Sequence, residues 1–373
     1  MNTNLQTNKP ERLLSLDALR GFDMIWIAGG ERIIEALAKY TNWPIFNWLR
    51  IQIDHVQWNG FHFYDLIFPL FLFLAGVSIP FSIMKRKERG DSMRSIYIHL
   101  IKRCIVLIVL GIIYNGALSF DWPIRFASVL ARISLGWFFA ALIVLHFKQR
   151  GQIIWIAGIL LFYWAIMMLV PVPGIGAGVL TMDGNLSAYI DRLLLPGRLF
   201  DTIMDPEGIL STIPAVATAL LGAMTGFFLK DESLKLAKYK KGITLFIGGV
   251  ALVLIAVLWN EVFPINKKMW TSSFVFCAGG LSLIFLSIFY LIIDAFEYRK
   301  WAFPLVVIGM NSITIYLCQP AFSGFSAFKD FAFSGIIHLF SSPVQPIIDA
   351  SAYLLTGWLV LYFLYRNKIF LKV

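Results

Sequence analysis

"LSLDALRGFDMIWIAGGERIIEALA", residues 14–38, decides the fold, because it sets Asp17, Arg20, Asp23, Glu31, Arg32 and Glu35 in an otherwise apolar stretch. Hydropathy alone reads it as an amphipathic helix lying in the membrane interface. The other reading has it crossing the bilayer with its charges turned to a wet interior, where intramembrane charges are usually functional. If it crosses, the chain has ten helices and both termini share one side.

The remaining helices follow from composition. Of 373 residues, 58% are hydrophobic and 14% charged, with 33 Phe, 12 Trp and a mean hydropathy of +0.74, far outside the soluble range. A helix needs about 20 apolar residues to cross the hydrocarbon. Charge-free stretches at 66–84, 151–170, 208–229, 242–260 and 269–293 meet that length, and the shorter 350–365 suffices when tilt or flanks assist. Stretches 104–118, 126–146 and 301–320 join them, the second carrying Arg132 and the third Asn311 and Gln319. The expected fold is an all-α integral membrane protein: one domain over 1–373, a bundle of about ten transmembrane helices behind a polar N-terminus at 1–13.

The Lys/Arg bias sets the expected sidedness. With the N-terminus cytoplasmic, 22 of the 32 basic residues fall inside, among them the clusters "KRKERGDSMR" at 85–94 and "KDESLKLAKYKK" at 230–241. Both termini are then cytoplasmic. The net charge of +10 and pI near 9.5 describe short loops beside an anionic leaflet, so membrane lipid is the expected polyanionic neighbour and nucleic acid is not. The expected location is the inner (cytoplasmic) membrane, multi-pass, with no cleaved signal peptide. Outer loops are expected at 39–64, 119–125, 171–207, 261–268 and 321–346. The 171–207 loop opens with helix-breaking "PVPGIGAGVL", offers a short helix in "NLSAYIDRLLL", and is too apolar to be disordered, so it should fold over the outer mouth. Cys104, Cys277 and Cys318 all fall in spans and read as small core residues. No metal-ligand spacing or phosphate-binding glycine loop is present.

Chemistry concentrates in "IDHVQWNGFHFYDLIFPLFLFLAG", residues 52–75. Its plain reading is structural: Trp58 at the interface, Asn59-Gly60 as a turn, Asp65 complementing a helix N-terminus. Its functional reading makes His55 a general base or nucleophile, with Asp65 or Asn59 holding its tautomer, Trp58 contacting substrate and His62 as the competitor. Spacing does not separate them. Asp17 and Arg20 admit an i,i+3 pair behind Ser15 as N-cap, yet as charges within a span they favour a cavity-facing, substrate-binding role. Arg20, Lys102 and Arg103 map near the cytoplasmic face and suit phosphate groups, although for Lys102 and Arg103 a positive-inside anchor also suffices. "DPEG" at 205–208 is a type I turn whose Asp205 and Glu207 are placed to receive an ammonium or hydroxyl. Asn311 joins helices by hydrogen bonds or contacts substrate, and buried Arg132 needs a partner.

The chain resembles the bacterial relatives of heparan-α-glucosaminide N-acetyltransferase, a branch of the transmembrane acyltransferase superfamily. The resemblance rests on "RLLSLDALRGFDM" at 12–24, "HVQWNGFHFYDLIFPLFLFLAGVSI" at 55–79, "DPEGILSTIPAVATALLGAMTG" at 205–226, "WTSSFVF" at 270–276 and "PLVVIGMNSITIY" at 304–316, in family order. It implies that His55, in the H-x-x-W-N-G pattern, is catalytic, and that an acetyl group passes from cytoplasmic acetyl-CoA to an amino sugar on the far side, with no metal. Coenzyme A and an amino-sugar or glycan acceptor are the implied partners, and a homodimer is left open. The family's animal enzyme carries an asparagine in an Asn-Tyr-Gly-Gly context, where this chain reads "IWIAGGERI", and a longer loop, "YTNWPIFNWLRIQI", precedes His55. The alternatives are an O-acetyltransferase of an envelope glycan and, from another class, a polar-solute transporter, against which stands the lack of half-to-half symmetry.

Overall fold

Long apolar runs separated by short polar turns fold here as the bilayer demands, with backbone polar groups satisfied inside helices. The computed structural model describes residues 13–119, 122–318 and 323–371. The polar stretch expected over 1–13 lies outside these apart from Leu13, as does Gln319. The first third holds α1 (Leu14–Ile25), α2 (Glu31–Thr41), α3 (Pro44–Gln52), α4 (Ile67–Val77), α5 (Ile79–Glu88) and α6 (Met93–Tyr114). The middle holds α7 (Val129–His146), α8 (Gln149–Leu169), α9 (Leu186–Leu194), α10 (Thr212–Lys230) and α11 (Lys238–Asn260). The last part holds α12 (Ser272–Tyr290), α13 (Phe303–Met310), α14 (Ser312–Cys318), α15 (Ser323–Ile337) and α16 (Gln345–Arg366).

Among the described residues, eight helical stretches are long and apolar enough to cross a membrane, and α13 with α14, bent by 58°, would make a ninth. The protein is therefore an all-α, multi-pass membrane protein. The expected count of about ten is reached only by adding the charged first segment, which is helical but too polar to pass on hydropathy. Two boundaries also differ: the α6 span begins at Met93 rather than 104, and the supposed loop 321–346 contains α15.

The first half of that segment, α1, is interior, against the interfacial reading, whereas α2 buries only Ala36 and Ala38 and leaves Arg32 and Glu35 exposed. In α1, Asp17, Leu19, Gly21 and Asp23 are all buried. It crosses α13 at backbone contact: a Cβ on Gly21 would sit 1.8 Å from the Leu305 carbonyl oxygen, and one on Gly309 equally close to that of Asp17. Small residues permit such approach where helix association depends on packing rather than on the hydrophobic effect. Gly76 and Gly222 do the same between α4 and α10. Ser15 is not the N-cap; the Asp294 carboxylate caps α1 by accepting from the Leu14 and Ser15 amides at 3.3 and 3.2 Å. Between α1 and α2 the helix widens into a π turn at Trp26–Gly30 with Gly29 at φ 115°, a conformation open to glycine. The expected helix in the 171–207 loop is α9, capped by Asn185, whose side chain accepts from the Ala188 amide.

Candidate active site

His55 lies on the 53–62 segment between α3 and the turn that opens α4, and that segment is pinned from two distant loops. The Gly60 amide donates to the Ile265 carbonyl (2.9 Å), Asn266 Nδ2 to the Trp58 carbonyl (2.8 Å), and Trp58 Nε1 to the Leu180 carbonyl (2.9 Å). Gly60, at φ 121°, makes the tight turn that brings these bonds together. Asn59 accepts from Asn266 Nδ2 at 3.1 Å, so its side chain anchors the loop, and Asp65 takes the place beside His55.

His55 Nδ1 lies 2.7 Å from Asp65 Oδ1. Asp65 is 2% exposed, and its other oxygen accepts from the His62 amide (3.0 Å) and the Val56 amide (3.4 Å), so the loop grips the carboxylate from both sides. A carboxylate on Nδ1–H fixes the neutral ring with its lone pair on Nε2, the form of a general base or nucleophile. His62, whose Nδ1 meets the Asp54 carbonyl at 3.0 Å, is not among the residues that line the cavity beside His55. The third member is Lys267, whose Nζ lies 3.4 Å from Asp65 Oδ1 and 3.2 and 3.5 Å from the two ring nitrogens of His55. Burial holds the Lys267 ammonium below the ordinary lysine range, with the Asp65 carboxylate opposing that pull.

This cluster stands at the rim of a cavity of about 350 Å³. Met24 and Ile27 from the first segment, Tyr114 from α6, and Ser312 and Tyr316 from α14 line it. Ile27 stands two residues before Gly29-Gly30. The break at Asn311 turns α14 toward the cavity; Asn311 itself is buried, its Nδ2 donating to the Val307 carbonyl at 3.4 Å.

The cavity lining also includes the charged Arg125 and Glu207. Arg125 donates to both oxygens of Asp205 (2.8 and 2.6 Å) and to Glu207. Burial disfavours the Arg125 cation, but the two carboxylates outweigh it and hold its pKa above the ordinary value. Asp205 also shapes its turn, accepting from the Glu207 amide at 2.9 Å, with the Gly208 amide closing on the Asp205 carbonyl. An Arg125→Met protein should be destabilised by about 3–5 kcal/mol, because it strands a fully buried carboxylate. Thermal unfolding in detergent checks this, and adding Asp205→Asn should recover much of the loss.

Asp191 of α9 ties the long loop to the turn before α10, its Oδ1 accepting from the Ile209 amide at 2.9 Å. Burial pushes its pKa up to about 6. A carboxyl raised in the folded state stabilises when protonated, so this contribution is present below the unfolded pKa, near 4, and is lost as pH rises through about 6. An Asp191→Asn protein should keep a flatter thermal midpoint across that window than the parent.

Other candidates lie apart. Asp17 and Arg20 pair at 3.7 Å and Arg20 Nη2 donates to the Leu74 carbonyl (3.3 Å), outside the His55 cavity lining. Lys102 is exposed on α6, and Arg103 stacks over Trp137 at 4.1 Å, nine and ten residues into a 22-residue helix. That places both nearer its middle than the expected cytoplasmic edge. Arg103 lies within electrostatic reach of Arg20. Two cavity residues, Lys267 and Arg125, were missed by motif reading, yet both are among the ten basic residues left outside by the Lys/Arg bias.

No family model matches the sequence. The chain is 28% identical to human heparan-alpha-glucosaminide N-acetyltransferase over 98% of its own length, and 28% identical to the mouse protein of that name over 86%. It spans 60% and 56% of the length of those relatives. The cluster of His55, Asp65 and Lys267 thus sits in a chain matched almost end to end, and the chain is a distant homologue of heparan-alpha-glucosaminide N-acetyltransferase.

Proposed function

We propose that the protein is a membrane acyltransferase that moves an acetyl group from acetyl-CoA to the amino group of a sugar, with His55 as general base or acetyl carrier. The observation that carries this reading is His55, oriented by buried Asp65 through Nδ1 at 2.7 Å, on the rim of a cavity inside the bundle. As the amine nitrogen bonds the acetyl carbon and the carbon–sulfur bond breaks, Nε2 takes the amine proton and the thiolate of coenzyme A leaves. Lys267 Nζ, beside both ring nitrogens, would donate to the oxygen that gains charge at the acetyl carbon. Arg125 and Glu207 in the same lining offer a donor and an acceptor to the sugar hydroxyls or ammonium. Arg20 and Arg103, mutually repelling cations deeper in the bundle, suit the phosphates of the donor. The sidedness of the basic residues supports a non-cytoplasmic position for the His55 end. The relatives' names support the amino-sugar acceptor; an O-acetyltransferase would use the same groups on a hydroxyl.

A Lys267→Met protein should lose about 10²–10³ in kcat, the range for one oxyanion donor, with KM for the sugar little changed. Steady-state kinetics at saturating donor check this. Proteoliposomes test the whole reading: with acetyl-CoA sealed on the cytoplasmic-face side and glucosamine on the other, N-acetylated sugar should form on the glucosamine side. Accumulation of unmodified sugar without any donor would replace the proposal with a transporter.

A further inference from the structure

A second cavity, of about 660 Å³, opens on the flank of the bundle between α7, α8 and α10. Its wall follows α7 through Leu135 and Phe139 to Ile143 and is faced by Trp155 of α8 and Ile213 of α10. From Ala131 to Ile143 the slot runs roughly 18 Å at 1.5 Å per residue. Phe139 and Trp155 are exposed, so the slot faces the surrounding bilayer.

Its polar end holds Arg132, 1% exposed in the first turn of α7. Arg132 Nη2 donates to the Gly208 carbonyl at 3.3 Å and to Ser211 Oγ, its guanidinium lies 5.0 Å over the Trp270 ring, and Glu207, Asp205 and Asp191 are within electrostatic reach, while Nε and Nη1 have no hydrogen-bond partner among the described residues. A buried guanidinium with two idle donors is costly unless a ligand satisfies it. Glu207, which also lines this end, is engaged by Arg125. The first turns of α7 separate the two cavities: Val129, Leu130 and Ile133 face the His55 side, Arg132 and Leu135 the lipid side.

We propose that this lateral cavity binds a membrane amphiphile bearing a phosphate, its oxygens on Nε and Nη1 of Arg132 and one hydrocarbon chain lying along α7 toward Ile143. The planar fork of arginine suits a phosphate oxygen pair, and an apolar slot of this length open to the bilayer suits a lipid tail. The shared chemistry covers a bilayer phospholipid and a lipid-linked sugar phosphate.

The test is native mass spectrometry of the full chain, delipidated in detergent and titrated with dioleoylphosphatidylglycerol, with dioleoylglycerol, which lacks the phosphate, and with glycerol 3-phosphate, which lacks the tails. The phosphate lipid should bind at least about tenfold more tightly than dioleoylglycerol, with glycerol 3-phosphate not binding over the same range. Arg132→Gln should erase the preference, and Leu135→Trp, which fills the slot and leaves Arg132 in place, should remove binding without moving the thermal midpoint. Addition of a polyprenyl-phosphate sugar distinguishes the sources by competition. Equal binding of the two lipids by the wild-type chain, binding of glycerol 3-phosphate alone, or binding unchanged in both variants would overturn the proposal.

Discussion

Replacing His55 with alanine is expected to lower acetyl transfer by about 10³-fold or more while leaving coenzyme A affinity and the thermal midpoint near those of the parent. A positioned general base contributes about 10²–10⁴, and the upper part of that range applies because the other nearby histidine, His62, lies outside the cavity lining. The His55 side chain is 50% exposed, so its removal opens no core cavity. Asp65 is not stranded either, since Lys267 Nζ remains 3.4 Å away. Transfer kinetics beside a coenzyme A binding isotherm separate the chemical loss from a folding defect.

Asp65→Asn should cost about 10²–10⁴ in kcat with the fold preserved, a range bounded above by the loss when the orienting carboxylate of a Ser-His-Asp triad becomes an amide. The asparagine oxygen can still accept from the His62 and Val56 amides, as Oδ2 of Asp65 does at 3.0 and 3.4 Å. Its amide nitrogen would donate to His55 Nδ1, driving the ring proton to Nε2 and removing the lone pair that the reaction needs. The ring would stay where it is with the wrong nitrogen protonated. Kinetics would therefore show a kcat loss without a matching change in sugar KM, and the imidazole nitrogen shifts in an NMR spectrum would report the altered tautomer. A loss confined to KM would speak for a role in sugar binding instead.

The fold was largely legible because membrane solvent leaves few alternatives to helices, and the runs at 151–170 and 242–260 needed only counting. The first segment was ambiguous for a physical reason. Its charges read alike whether they face headgroups or protein, and it is the crossing of α13, through Gly21 and Gly309, that makes its first half, α1, interior. The π turn at Trp26–Gly30 and the bend at Asn311 left no periodicity signal, since each depends on what packs against it. Within the site, His55 and Asp65 were readable because they lie ten residues apart on one motif. Lys267, 212 residues from His55 in sequence, was not. Its trace was a pair of lysines on a loop where the Lys/Arg bias expects few, and Arg125 left the same trace. Basic residues that defy the sidedness rule are worth reading as site candidates.

The most direct measurement is the initial rate of label transfer from acetyl-CoA to glucosamine by the purified chain in detergent, wild type beside His55→Ala, with coenzyme A binding followed in the same samples. The expected result is labelled N-acetylglucosamine from the wild type and none above background from the variant, at equal coenzyme A occupancy. Undiminished transfer by the His55→Ala protein, or coenzyme A bound with no acetyl group delivered to any amino sugar, would contradict it.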